Sequence, residues 1–152
     1  MSDLRPWTRE KRLRTRSVNG TLALGETITE LLRAPELVVL RGDLGAGKTT
    51  LVKGMAVALG AADAEDVTSP TFTLVHEYRG RKTRLIHLDL YRLETEQELE
   101  TVGLWEMADS DALVLVEWGD KFPSILQRAD AIISISPGEN ETERLLHLHW
   151  RD

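Results

Sequence analysis

The chain contains the octapeptide Gly42-Asp43-Leu44-Gly45-Ala46-Gly47-Lys48-Thr49, and no other segment constrains its architecture as strongly. The octapeptide matches the phosphate-binding pattern G-x-x-x-x-G-K-[ST], known as Walker A, at every fixed position. Its glycines let the backbone curl so that successive N–H groups point inward, towards phosphate oxygens. A helix that starts directly after the loop adds the positive end of its dipole at the same place. The motif therefore predicts a nucleotide-binding P-loop.

The segments on either side of the octapeptide have the expected character. The apolar run Leu37–Leu40 predicts a strand that is buried on both faces. Residues 48–59 predict a helix that ends at Gly60. We expect Lys48 to contact the β- and γ-phosphates of ATP, and Thr49 to place its hydroxyl on magnesium. The predicted nucleotide-binding residues of the loop and the first helical turn are Asp43, Leu44, Gly45, Ala46, Gly47, Lys48, Thr49 and Thr50.

Apolar periodicity and turn residues outline the rest of the chain. Predicted strands cover residues 9–18, 37–40, 72–78, 83–90, 113–116, 131–135 and 145–150, and predicted helices cover 21–35, 48–59 and 94–102. This order predicts an α/β fold, a single P-loop NTPase domain whose mixed sheet has a parallel centre and antiparallel additions. We assign the domain to residues 18–152 and interpret residues 1–17 as a basic N-terminal arm or an edge strand.

Two predicted strands end in an acid, which a P-loop enzyme needs for magnesium and for the attacking water. Residues 113–116 lead to Glu117, and residues 85–88 lead to Asp89. Alternation along the second strand puts His87 on the same face as Asp89, which is unusual for pure packing. Spacing alone does not assign the roles of the two acids.

The segment Thr68–Phe72 is a candidate switch loop. The hydroxyls of Ser69 and Thr71 can contact a γ-phosphate or magnesium, and loss of that phosphate would release the loop. An ordinary proline turn is the alternative. Trp118 either packs in the core or lies against a nucleotide or a partner. We interpret the remaining histidines as structural, because their spacing suggests no metal site: His76, His147 and His149.

Composition narrows the class of protein. The 152 residues include no cysteine, which excludes disulfides and thiolate zinc sites. No apolar run approaches the roughly 20 residues of a membrane helix, so we expect a cytoplasmic protein without membrane contact. The net charge of −6 argues against a dedicated nucleic-acid clamp. The six basic side chains within residues 1–16 either keep the terminus solvated or contact RNA or a partner.

Four motifs in combination resemble those of one family. They are the octapeptide extended to Thr50, Ser69-Pro70-Thr71-Phe72, His87-Leu88-Asp89-Leu90-Tyr91-Arg92 and Glu117-Trp118. In order and spacing, from about residue 18 to residue 150, they resemble TsaE, formerly YjeE, the bacterial ATPase family needed to form threonylcarbamoyladenosine in tRNA. Walker A alone is shared by very many proteins, whereas the combination is far more specific.

The resemblance implies ATP and magnesium as ligands, and hydrolysis that is weak alone and stimulated by TsaB and TsaD partners. Because TsaD carries out the transfer to tRNA in that family, contact with tRNA would be indirect, through the complex. The family pattern implies Lys48 and Glu117 as catalytic residues, with Glu117 activating water. It implies a magnesium site at Thr49, Asp89 and Glu117, a switch loop at Ser69 and Thr71, and Trp118 near the nucleotide.

Two other functions stay open. A small-molecule kinase would consume ATP only with an acceptor, and the chain is short for a separate acceptor site and lid. A nucleotide-gated interaction module without significant turnover would need Lys48 and Thr49 but not Glu117. An arginine that speeds hydrolysis would come from a partner or from this chain, where Arg92 is the nearest candidate.

Overall fold

A computed structural model describes residues 6–43, 47–63, 66–68, 70, 74–80 and 83–151. The strands are β1 (Arg9–Thr15), β2 (Glu36–Arg41), β3 (Val75–Arg79), β4 (Arg84–Asp89), β5 (Leu113–Glu117), β6 (Ala131–Pro137) and β7 (Arg144–Trp150). The helices are α1 (Val18–Leu31), α2 (Lys48–Ala58), α3 (Glu96–Val102), α4 (Leu104–Ala108) and α5 (Pro123–Arg128), with a 3₁₀ turn at Gly119–Lys121.

The described strands form one seven-stranded sheet in the order β1-β7-β6-β2-β5-β4-β3. Strands β6, β2, β5 and β4 run parallel to one another in the centre. Strands β7 and β1 add antiparallel on one side, and β3 adds antiparallel on the other. This arrangement confirms the predicted fold class, an α/β P-loop domain whose mixed sheet is parallel in the centre.

Helices cover both faces of the sheet, which explains the apolar runs Leu37–Leu40 in β2 and Leu113–Val116 in β5. One face packs Val38 and Leu115 against α1 and α2. The opposite face packs Val39 and Val116 against α3, α4 and α5. Successive residues of each central strand therefore enter two separate cores. Within the described part of the chain, no helix has the length and apolar character needed to cross a bilayer.

Helices α1 and α2 approach closely because glycines lie where they cross. A β-carbon on Gly25 would overlap the backbone of Gly54, and one on Gly54 would overlap the backbone of Leu22. Helix α1 begins at the N-cap Ser17, whose Oγ accepts a hydrogen bond from the N–H of Gly20 at 2.9 Å. The close crossing of α1 and α2 holds α2, and with it Lys48 at the start of α2, in place against the sheet.

Several boundaries differ from the sequence predictions. Strand β3 begins at Val75 rather than at residue 72, and residues 71–73 lie outside the described part of the chain. Helix α3 begins at Glu96 rather than at residue 94, because Thr95 and Glu98 form a capping box that fixes the N-terminus. Helices α4 and α5 were missed, since runs of five and six residues are too short to show a helical period.

The carboxylate of Glu36 lies in an electrostatically unfavourable place at the start of β2, at the opposite end of the strand from the phosphate loop. Burial, and after it the negative charge of Asp130, together raise the pKa of Glu36 to about 7. Among the described residues, no group donates a hydrogen bond to its Oε2. Asp130 itself accepts a hydrogen bond from the N–H of Leu37 at 2.8 Å, so it cannot move away. The ionised form of Glu36 is therefore disfavoured in the folded chain.

We expect Glu36→Gln to stabilise the protein more at about pH 8 than at about pH 5. The pKa of Glu36 is about 7 in the folded chain and 4.5 in the unfolded chain. The folded chain therefore keeps its full stability below about pH 4.5, where Glu36 is protonated in both states, and loses part of it as the pH rises through about 7. Because the side chain is partly exposed, the difference between the two pH values should be about 1–2 kcal/mol. Urea unfolding measures it, with exposed Glu30→Gln as the control. An equal effect at both pH values would contradict this reasoning.

Candidate functional site

The carboxyl ends of three parallel strands meet beside the start of α2. Strand β2 leads into the phosphate loop, and β4 and β5 end in Asp89 and Glu117. The register pairs Glu117 with Leu40 of β2 on one side and with Asp89 of β4 on the other. Lys48 begins α2 at the same edge. Ligands of open α/β sheets bind at this edge, which makes it the candidate nucleotide site.

Glu117 is held between a histidine and a lysine. Its Oε2 accepts a hydrogen bond from Nε2 of His87 at 2.6 Å, and its Oε1 lies 3.0 Å from Nζ of Lys48. The side chains of His87, Glu117 and Lys48 are only 0%, 5% and 12% exposed. Since Nε2 of His87 donates, it carries the proton, and no described residue hydrogen-bonds the Nδ1 of that ring. The predicted catalytic pair, Lys48 and Glu117, is thus in direct contact.

The two partners of Glu117 also determine its charge. Burial by itself raises the pKa of Glu117, but the hydrogen bond and positive charge of His87, followed by those of Lys48, outweigh it. The pKa of Glu117 therefore lies below its ordinary value. A carboxylate that stays ionised while nearly excluded from water can accept a proton, bind a cation or orient water.

Asp89 lies next to Glu117 and is 4% exposed. Its Oδ1 accepts a hydrogen bond from the N–H of Tyr91 at 2.9 Å, which fixes the turn after β4. The N–H of Asp89 donates to the carbonyl of Leu74 at 2.9 Å, and the N–H of Leu74 donates to the carbonyl of Pro70 at 2.7 Å. These two bonds connect Asp89, through Leu74, to Pro70, a described residue within the range of the predicted switch loop.

The described part of the phosphate loop has the expected backbone. Gly47 precedes α2 with a φ of 103°, in the left-handed region that favours glycine. Thr49 and Thr50 follow Lys48 in the first turn of α2, and Asp43 follows β2. The other predicted loop residues lie outside the described part of the chain and stay predictions: Leu44, Gly45, Ala46, Ser69 and Thr71.

Trp118 and Tyr91 form an exposed aromatic pair at the rim of the site. Their ring centres are 5.2 Å apart, and the residues are 40% and 58% exposed. Nζ of Lys48 lies 5.9 Å from the centre of the Trp118 ring. The backbone of Trp118 has a φ of 64°, a strained value that costs roughly 1–3 kcal/mol in a bulky residue. Trp118 is thus partly exposed rather than a core residue, and its ring is available for a nucleotide or a partner.

Lys121 supports the site without having been predicted. Its Nζ donates to the carbonyls of Leu90, Tyr91 and Leu93, at 3.4, 3.0 and 2.7 Å. These bonds join the turn after β5 to the turn after β4, and so hold the segments that follow Glu117 and Asp89 together. No sequence motif signals this role, because it depends on the two strands being neighbours.

The structure also brings an arginine beside the phosphate loop. A β-carbon built on Gly47 would lie 3.2 Å from Nε of Arg144, at the start of β7. Sequence reasoning named Arg92 as the nearest arginine of this chain, and that residue is exposed in the turn after β4. Arg144 escaped notice because it lies 97 positions from Gly47 and reaches the loop only through strand pairing.

Comparison with known proteins identifies the family. The family described as "Threonylcarbamoyl adenosine biosynthesis protein TsaE" matches residues 15–146. The chain belongs to the TsaE family. It is 44% identical to the "tRNA threonylcarbamoyladenosine biosynthesis protein TsaE" of Haemophilus influenzae over 99 residues, 65% of this chain and 61% of that protein. It is 40% identical to the Treponema pallidum protein of the same name, over 80% of this chain and 87% of that protein.

A solved structure has the same fold. The crystal structure of Bacillus subtilis YdiB superposes with a TM-score of 0.74 at 29% sequence identity. The match covers 93% of this chain and 86% of that one. The resemblance to TsaE that the four motifs indicated, and the P-loop architecture that it implied, are therefore confirmed.

We expect the pKa of Glu117 to rise in His87→Asn and in Lys48→Met variants of this TsaE protein. Each substitution removes a group that favours the carboxylate and leaves its burial in place. The pKa of Glu117 is lower in the folded chain than its ordinary value of 4.5. Ionised Glu117 therefore stabilises the folded chain above pH 4.5, and this stabilisation is lost as the pH falls through the lowered pKa. The stability gap between wild type and each variant should therefore narrow in acid.

Carbon-13 NMR titration of the Glu117 carboxyl group measures the pKa directly. His76→Asn is the matched control, since it removes an imidazole that makes no contact with Glu117 among its described bonds. If both site variants kept the wild-type titration curve, the two contacts would not govern the charge of Glu117.

Proposed function

We propose that this TsaE protein binds and hydrolyses ATP as a subunit of the machinery that forms threonylcarbamoyladenosine in tRNA. It would act with TsaB- and TsaD-like partners and meet tRNA only through that complex. One observation carries the proposal: the lysine of the phosphate loop is paired at 3.0 Å with a buried carboxylate at the end of the neighbouring strand. A carboxylate so placed can orient the attacking water, a role that hydrolysis requires and that a module without turnover would not.

Binding of ATP would rearrange this pair. The phosphate tail carries more negative charge than a carboxylate, so it competes for Lys48 from within a loop whose N–H groups also favour anions. Once Lys48 turns to the phosphates, Glu117 loses one partner but keeps the 2.6 Å bond from His87. The carboxylate then stays oriented by His87 with one oxygen available to water. In this proposal His87 is a positioning residue.

Hydrolysis would follow by in-line attack. Glu117 orients a water and accepts its proton, the water oxygen bonds to the γ-phosphorus, and the bond from that phosphorus to the bridging oxygen breaks to leave ADP and phosphate. Lys48 stabilises the charge that develops on the phosphate oxygens. The exposed ring of Trp118 lies close enough to Lys48 to cover the nucleotide or to meet a partner.

The site also fits magnesium chemically. Thr49, Asp89 and Glu117 offer a hydroxyl and two buried carboxylates, the hard oxygen donors that Mg²⁺ prefers. These residues would hold the ion, directly or through water, and the ion would neutralise charge on the phosphates.

Weak activity of the isolated subunit follows from the same contacts. Lys48 and Glu117 satisfy one another, so the free protein is stabilised in a form that is not arranged for catalysis. A partner that favours the rearranged form, or supplies an arginine, would raise the rate.

Phosphate release from ATP tests the proposal, measured with the protein alone and with a TsaB–TsaD pair and tRNA added. We expect the added components to raise turnover about tenfold or more. Glu117→Gln should keep nucleotide affinity within about threefold and lose at least about 100-fold in turnover in both settings. Exposed Glu100→Gln on α3 is the control and should behave as wild type.

The outcomes separate the alternatives. A phosphorylated small molecule in place of free phosphate would identify a kinase. Modification of tRNA at the normal rate by Glu117→Gln would favour a nucleotide-gated module. If adding TsaB, TsaD and tRNA did not change the turnover, the pathway assignment would be contradicted, whereas the nucleotide site would still be supported.

A further inference from the structure

A second cluster of polar side chains lies far from the nucleotide site, where β1 pairs with β7. The antiparallel register sets Glu10 opposite His149 and Arg12 opposite His147. His147 and His149 alternate with Leu146 and Leu148, which are buried in the core beside α1 and α2. The two imidazoles therefore project from the opposite face of the sheet, on the same side as Glu10.

The three side chains converge on a small volume. Oε2 of Glu10 lies 2.8 Å from Nε2 of His147 and 3.2 Å from Nε2 of His149, and the two ring centres are 4.1 Å apart. The candidate ligand atoms all lie within 4.8 Å of one another. Among the described residues, this is the one group of three or more His, Cys, Asp or Glu side chains that meets this distance limit.

We propose that Glu10, His147 and His149 bind a divalent transition-metal ion of the zinc type. Two imidazole nitrogens and a carboxylate oxygen suit Zn²⁺, Ni²⁺ or Cu²⁺ better than Mg²⁺ or Ca²⁺. In a tetrahedral site with bonds of 2.0–2.1 Å, ligand atoms stand about 3.3 Å apart. The two distances from Glu10 are close to that value, and side-chain rotations would bring all three ligand atoms around one ion.

The donor set suits a cation, because it combines the carboxylate of Glu10 with two imidazole nitrogens. His147 and His149 are 31% and 27% exposed, which gives an ion access from solvent. With three protein ligands the fourth position faces water, where a partner or a second chain can contribute a group.

Metal binding would tie an edge strand to the rest of the sheet. Among the described strands, β1 pairs with β7 alone, because it lies at the end of the strand order. An ion shared between Glu10 on β1 and two histidines on β7 would hold the two strands together at that edge. Since the ion binds the folded chain, it would also raise the unfolding temperature, and the rise would grow with the logarithm of the ion concentration once the site is saturated.

Titration with Zn²⁺ tests the proposal, using the full chain without an affinity tag, stripped of metal and free of nucleotide. Calorimetry should give one zinc per chain, and zinc should raise the unfolding temperature. The double variant His147→Asn/His149→Asn should bind zinc at least about 100-fold more weakly and lose the thermal shift. His76→Asn removes a histidine outside the cluster and should bind zinc as wild type does.

Two further measurements test the role of Glu10 and the coordination number of the bound ion. Glu10→Gln leaves both imidazoles in place, so it should fold normally and bind zinc about tenfold more weakly. Cobalt substitution should give the intense visible absorption of a four-coordinate site in wild type and in His76→Asn, but not in the double variant.

Three results would overturn the metal assignment. They are zinc affinity that is equal in wild type and the double variant, a wild-type chain that binds no zinc, and cobalt that stays six-coordinate. In each case the cluster would be an ion pair of Glu10 with two histidines. None of these measurements depends on nucleotide hydrolysis, so they test the metal site independently of the proposed ATPase activity.

Discussion

The carboxylate of Glu117 is the group on which the candidate site depends. Removing a charged group from water is expensive, and a buried carboxylate persists only where donors compensate for its lost hydration. His87 and Lys48 are those donors, at 2.6 and 3.0 Å. Each belongs to a different element, β4 and α2, while Glu117 ends β5. One ionised group therefore fixes three elements at the edge of the sheet where a nucleotide would bind.

The same contacts link stability to function. In the proposed mechanism Lys48 would have two competing anionic partners, the carboxylate of Glu117 and the phosphates of ATP, and it could not fully satisfy both. In the free protein the pair of Lys48 and Glu117 would then occupy the groups that the proposal assigns to catalysis. In the same proposal His87 differs from Lys48, because it would keep its hydrogen bond to Glu117 whether or not a nucleotide is bound. This division between a partner that changes and a partner that stays would give a physical reason for the proposed dependence of ATP hydrolysis on other subunits.

Local patterns predicted most of the fold. The octapeptide at Gly42–Thr49 and the apolar runs of β2 and β5 depend on short-range rules, and they led to the P-loop domain and its parallel centre. The acids at the ends of β4 and β5 were found in the same way. What could not be read locally were contacts set by strand register: His87 with Glu117 across 30 positions, and Glu10 with His147 across 137.

A crystal structure with magnesium and a non-hydrolysable ATP analogue tests the central claim most directly. The distance to measure is that from Nζ of Lys48 to Oε1 of Glu117, which is 3.0 Å in the free protein. We expect this distance to exceed about 4 Å, the limit of an ion pair, with Lys48 on the phosphates and His87 still bonded to Glu117. An analogue bound in the loop while Lys48 and Glu117 remain paired would contradict it.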